Sequence, residues 1–129
     1  MRIMWVVLAI ALAAPVFSQP VKVSRDAREL GPIVMRELSI NQGKLAFRVD
    51  SNGCTDASSF KVSVGKEEGV SPASPHYRLM VERTRIDECK AMLWDGVVIE
   101  LDLEKDLHLS GRYTISVENP VLAKSGMGQ

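Results

Sequence analysis

Lys44-Leu45-Ala46-Phe47-Arg48-Val49-Asp50 follows directly on Asn41-Gln42-Gly43. Leu45, Phe47 and Val49 occupy every second position, with Arg48 and Asp50 on the alternate ones. Successive side chains of an extended chain point to opposite faces, so this spacing makes one apolar face and one polar face. The Asn-Gln-Gly in front of it is turn chemistry. On the far side of that turn Leu38 and Ile40 alternate with Glu37 and Ser39. Both segments read as half-buried strands.

The same period recurs along the chain. Phe60, Val62 and Val64 alternate with Lys61 and Ser63, and Tyr77, Leu79 and Val81 with Arg78 and Glu82. Val97, Ile99, Leu101 and Leu103 alternate with Glu100 and Asp102, and Tyr113, Ile115 and Val117 with Arg112, Thr114 and Glu118. One open sheet would leave all these apolar faces wet, whereas two sheets packed face to face bury them. The reading is an all-β domain, an immunoglobulin-like antiparallel β-sandwich of six to seven strands. A small closed barrel satisfies the same pattern. Leu109-Ser110-Gly111-Arg112-Tyr113 resembles the turn and tyrosine that enter a late strand of many sandwiches, where the phenol hydroxyl bonds back to nearby backbone.

Two connections read as longer than turns. Residues 65–76 hold Gly65, Gly69, Pro72 and Pro75 and end on His76, a composition that predicts an exposed irregular loop. Residues 86–96 have room for one helical turn at their centre, ended by Gly96.

The N-terminus adds a compartment. Met1-Arg2 precedes an uncharged run from Ile3 to Phe17, the pattern of a secretory signal peptide. The run is shorter than the roughly 20 residues of a membrane-spanning helix. Val16 and Ser18 suit a cleavage site before Gln19, and Ala11 and Ala13 offer an earlier one. An uncleaved membrane anchor is the alternative. The expected organisation is a leader over 1–18, an irregular lead-in over 19–32, the sandwich over 33–122 and a frayed tail over 123–129. In the lead-in, Val21 and Val23 suggest a short edge strand. Asp26 to Leu30 suggest one helical turn that Gly31-Pro32 stops.

Sixteen basic residues balance sixteen acidic ones. Nucleic-acid binding needs a clear basic excess, so none is expected. Once the leader is removed no stable membrane anchor remains. The two cysteines, Cys54 and Cys89, allow one intramolecular pairing, which export favours. Closing that loop is expected to stabilise the fold by about 4 kcal/mol. A nucleophilic Cys54 would need a neighbouring histidine or a helix start to lower its thiol pKa, and neither is evident. Cys54, Cys89, His76 and His108 invite a zinc reading, but their wide spacing lacks the close ligand pairs of structural zinc sites. No metal or cofactor is expected.

Gly-x-Ser-x-Gly, His-Glu-x-x-His and the phosphate-binding glycine loops are absent, so no enzyme is expected. Arg83 and Arg85 have the fork geometry to grip an anion, yet mixed surface charge is ordinary, and both are expected to face solvent near Glu100 or Asp102. Trp94, beside Met92 and Leu93, is expected to cap the open end of the core. The alternative is an exposed anchor for a partner.

Asn52-Gly53-Cys54-Thr55, Ser59-Phe60-x-Val62, Arg85-x-Asp87-x-Cys89-Lys90 and Asn119-Pro120 together resemble an uncharacterised family of small exported bacterial proteins. The resemblance spans roughly residues 45–120. It implies a periplasmic or secreted setting, architectural matching residues and no particular activity. The leading expectation is therefore a non-enzymatic interaction module that meets an envelope or extracellular protein. Its candidate contacts are Trp94, Arg83, Arg85, Pro72, Pro75 and His76. An inhibitor of an exported hydrolase, presenting loop 65–76, is the alternative. A small-ligand carrier or an enzyme, which would need a pocket with convergent polar groups, is the third.

Overall fold

The computed structural model describes residues 22–71 and 73–124, apart from the side chains of 68–71. The expected leader over 1–18 lies outside the described residues, as do Pro72 and most of the expected tail.

Strands β2 (Glu37–Asn41), β3 (Lys44–Val49) and β6 (Val97–Asp102) form one antiparallel sheet with β3 in the middle. Leu38 lies opposite Phe47 and Ile40 opposite Leu45, while Ile99 and Leu101 flank β3 from the other side. Directly opposed residues share a face, so this register gathers the apolar positions of three strands on one side. In the second sheet β5 (Ser74–Arg83) is central. β4 (Phe60–Ser71) runs antiparallel along one flank. The other flank is shared by β1 (Gly31–Pro32), antiparallel at Arg83 and Glu82, and β7 (Thr114–Val117), parallel from His76 to Leu79. Over the described residues the protein is thus all-β, seven strands in two sheets, and the sandwich arrangement holds rather than a closed barrel.

Met35, Leu45, Phe47, Val49, Leu79, Val81 and Ile99 fill the space between the sheets. Phe60 meets Phe47 edge to face at 5.4 Å, an aromatic contact of the favoured geometry that ties β4 to β3 across the interior. Leu103 and Leu109 close one end, brought in by the turn that Asp102 organises by accepting the N–H groups of Glu104 and Lys105.

Four local expectations are corrected. Residues 65–76 are mostly ladder: β4 and β5 remain paired out to Glu67 and His76, and pair again at Ser71 and Ser74 after a register shift. Residues 65–67 of β4 are exposed and residues 74–76 of β5 only half-buried, so this arm of the ladder carries no clear period-two signal. Gly31-Pro32 does not stop a helix but forms β1. The described part of the lead-in makes a single bridge from Ser24 to Ile33 and a turn at Asp26–Glu29, with Ala27 buried. No helix forms at the centre of 86–96, which is held by side chains from elsewhere; a single turn, Gly96 N–H to the Leu93 carbonyl at 3.0 Å, closes at Gly96. Tyr113 packs edge-on against Tyr77 at 5.7 Å, and among the described residues its hydroxyl makes no hydrogen bond to backbone.

One buried polar residue ties the chain after β7 to β5 and to the residue after β1, within one sheet. Asn119 accepts the Val81 N–H at 2.7 Å and donates to the carbonyls of Ile33 at 2.9 Å and Val81 at 2.8 Å. The Asn119→Ala variant is expected to lose about 2–3 kcal/mol, since the Val81 N–H and the Ile33 carbonyl lose a buried partner and the Val81 carbonyl keeps only the Ile33 N–H at 3.4 Å. Chemical denaturation with an unchanged m-value is the measurement that checks it.

Candidate functional site

At one end of the sandwich three irregular segments converge: the lead-in, residues 50–56 after β3, and residues 84–95 between β5 and β6. Their centre is Asp87, only 1 % exposed. Its carboxylate accepts the Thr55 hydroxyl at 2.6 Å, the Ser51 hydroxyl at 3.0 Å, and the backbone N–H groups of Asn52 at 2.8 Å, Cys54 at 3.1 Å and Cys89 at 3.1 Å. Its own backbone N–H donates to Ala27 at 2.9 Å. Burial by itself pushes the carboxyl pKa up. The hydrogen bonds from Thr55, Asn52, Cys54 and Ser51 outweigh it and bring the pKa down to about 2, as expected for a carboxylate ringed by donors.

The Cys54–Cys89 disulfide closes over this knot. The Asn52-Gly53 corner makes it possible: Gly53 has φ of +109°, and a Cβ there would sit 2.8 Å from the Ala91 Cβ. Below the knot lies Arg83, which is 3 % exposed rather than at the surface. Its guanidinium rests over the Phe60 ring at 4.8 Å and donates to Thr55 Oγ1 at 3.1 Å and to the Asp50 carbonyl at 3.3 Å. Burial lowers its pKa, and the carboxylates of Asp87, Asp26 and Asp50 oppose that shift. The expectation that Arg83 faces solvent near Glu100 or Asp102 fails because β5 turns it inward, where an aromatic face and carbonyl groups replace water. Arg85 does face outward, but pairs with Asp56 at 3.1 Å.

From this knot the chain runs to Trp94. The indole is 77 % exposed, so it does not cap the core; the core end is filled by Val49, Arg83 and the lead-in instead. Met92 beside it is also exposed. The backbone under Trp94 is nevertheless held. Arg36 donates to the Trp94 carbonyl at 2.5 Å and pairs with Asp50, which also pairs with Arg25 at 2.9 Å. Arg48 donates to the Asp95 carbonyl at 3.1 Å. Gly96 then returns the chain to β6 with φ of +65° and so close to Val49 that a Cβ would lie 2.1 Å from its carbonyl oxygen. Hydrogen bonds therefore run without interruption from buried Arg83 through Asp50 and Arg36 to Trp94.

The remaining candidates lie elsewhere. His76 sits seven residues from Arg83 along β5, about 23 Å away at strand spacing. Its two ring nitrogens lie 2.8 Å from the Thr114 hydroxyl and 3.0 Å from the Ser116 hydroxyl, so it braces β7. Pro75 is its neighbour in the same arm. Neither histidine joins the cysteines: the metal-ligand atoms that cluster within 4.8 Å are those of Cys54, Asp87 and Cys89. There the joined sulfurs are not thiolates, and Asp87 already accepts five donors, so the residues present do not fit a zinc ion. Sequence reasoning missed Asp87, Arg36 and Asp50. The one signal for Asp87 is its place two residues before a cysteine, where a carboxylate can reach the Cys89 N–H locally.

Set beside family models, curated proteins and solved structures, the chain matches none of them.

Proposed function

We propose that this protein is a non-enzymatic interaction module, exported to the periplasm or the cell exterior, that binds an envelope or extracellular protein through the loop Ala91–Asp95. The observation that carries the reading is a fully presented tryptophan on a backbone that the rest of the fold holds still. Tryptophan is the side chain most enriched among interface hot spots. Holding its loop in place before binding limits the entropy lost on association. A tryptophan left in water with no such use would be an unbalanced exposure of a large apolar group.

The small exported bacterial family that the cysteine and Asn-Pro patterns resemble fits the same setting. Seven strands in two packed sheets and one disulfide support an immunoglobulin-like description of the sandwich. The inhibitor reading loses its irregular loop, since residues 65–76 form a paired arm. The hollow beside Trp94, bounded by Arg36, Asp50 and Ala91, holds about 200 Å³, below the ~300 Å³ at which small-molecule sites begin.

The test is capture from envelope extract by wild type and by Trp94→Ala. The expected outcome is that a partner held by wild type is bound at least about thirtyfold more weakly by the variant, a loss of about 2 kcal/mol. Stability should stay within about 0.5 kcal/mol, because the indole is exposed. Equal capture by the two proteins would overturn the assignment.

A further inference from the structure

β4 is the longest strand of the fold and an edge. It pairs with β5 along one flank, and among the described residues no strand and no backbone hydrogen bond occupies the other. Such an edge presents a row of free N–H and C=O groups to any extended chain. Its residues alternate: Val62 and Val64 lie opposite Val81 and Leu79 and so share the interior face, while Lys61, Ser63, Gly65 and Glu67 share the outer one.

We propose that this edge pairs with the same edge of a second copy, antiparallel, about a two-fold axis at Val64. An isologous contact must be self-complementary, and this strand is. In that register Lys61 of one copy stands opposite Glu67 of the other on the outer face, twice over by symmetry. Val64 meets Val64 on the inner face, where it is 40 % exposed in the single chain. The charges are available for the purpose. Lys61 takes no part in any ion pair among the described residues. Among the described residues, Glu67 pairs with Arg78, which it shares with Glu118.

Other registers fit less well. Axes at Lys61 or Lys66 set like charges directly opposite, which destabilises a strand pair. With the axis at Val64, Val62 faces Lys66; a slip to Gly65 sets Val64 against Lys66 instead and loses both Lys61–Glu67 pairs as well as the valine contact. A lysine on an exposed edge ordinarily discourages pairing; here it discourages those registers that deny it a carboxylate.

Sedimentation velocity of the purified protein over a concentration series reads the association directly. Wild type is expected to dimerise. Lys61→Glu and Glu67→Lys should each weaken the dimer about tenfold or more, since two cross-strand pairs change sign together. The Lys61→Glu/Glu67→Lys double variant, which restores opposite charges, should return most of that loss. Circular dichroism and thermal melting of each variant check that the monomer fold is intact. Val64→Cys should form a symmetric intermolecular disulfide on mild oxidation. A protein that stays monomeric at its highest attainable concentration would refute the proposal. So would a dimer indifferent to the charge variants, or a dimer in which the Val64→Cys copies do not cross-link.

Discussion

Asp87→Ala is expected to destabilise the protein by about 4 kcal/mol, the largest effect of any single side-chain change outside the hydrophobic core. Alanine leaves the backbone N–H groups of Asn52, Cys54 and Cys89 facing an empty acceptor site. A buried donor left unpaired costs about 1–3 kcal/mol. The Ser51 and Thr55 hydroxyls can rotate to other partners and add less. Asp87→Asn should be nearly as damaging despite its matching shape, because it sets an NH₂ donor among donors. A role in packing alone would make asparagine mild, so urea unfolding of the two variants side by side separates the explanations.

The same residue sets a pH dependence. Its folded pKa of about 2 lies below the ~3.9 of an unfolded aspartate. The folded state therefore binds fewer protons than the unfolded one across this interval, and stability falls as pH falls. The contribution, about 2 kcal/mol, is fully present at neutral pH. It declines below about pH 4 and is gone once pH is below 2. Asp56 and Asp102 are lowered too, chiefly by hydrogen bonds from Ser58 and from the Lys105 N–H respectively, and act in the same direction. The Asp87→Asn variant isolates the buried group: its stability curve should be flatter than wild type between pH 5 and pH 2 by that amount. Parallel curves would show that the carboxylate is not the titrating acceptor described here.

Removing the disulfide, by Cys54→Ser/Cys89→Ser or by reduction, is expected to cost about 3–4 kcal/mol while leaving a folded protein. Asp87 still ties residues 51–55 to residues 84–91 through side-chain and backbone bonds that need no sulfur. Adding Asp87→Ala to the disulfide-free protein should therefore cost a different amount than it does in wild type. Two ties that hold the same pair of segments are coupled, whereas distant sites add. Denaturant midpoints for the four proteins of this cycle give the coupling. Additivity within about 0.5 kcal/mol would mean that the two ties act on separate parts of the fold.

How much of this was legible beforehand differs between sheets and loops. Alternation in 38–49, 60–64, 77–81 and 97–103 predicts β2 to β6, because a strand with one wet face writes its burial directly into the sequence. β1 escaped, since Gly31-Pro32 is too short to show any period. So did the outer part of the β4–β5 ladder, where residues 65–67 of β4 are exposed whichever face they point to. The pairing of Cys54 with Cys89 was open to simple counting. Asp87 as a hub was not: its donors come from five residues, four of them more than thirty positions upstream, and its place two residues before a cysteine shows only the local bond to the Cys89 N–H.

Period and composition by themselves determined that the chain folds as paired sheets around a dry interior, with one disulfide, because those properties depend on neighbours along the strand. Only the tertiary structure decided that Arg83 turns inward, that Asp87 becomes the hub of three loops and that Trp94 stands in water. Each of these outcomes depends on which distant backbone groups are left needing a donor or an acceptor once the sheets have packed, and that is a property of the assembled fold rather than of any stretch of chain.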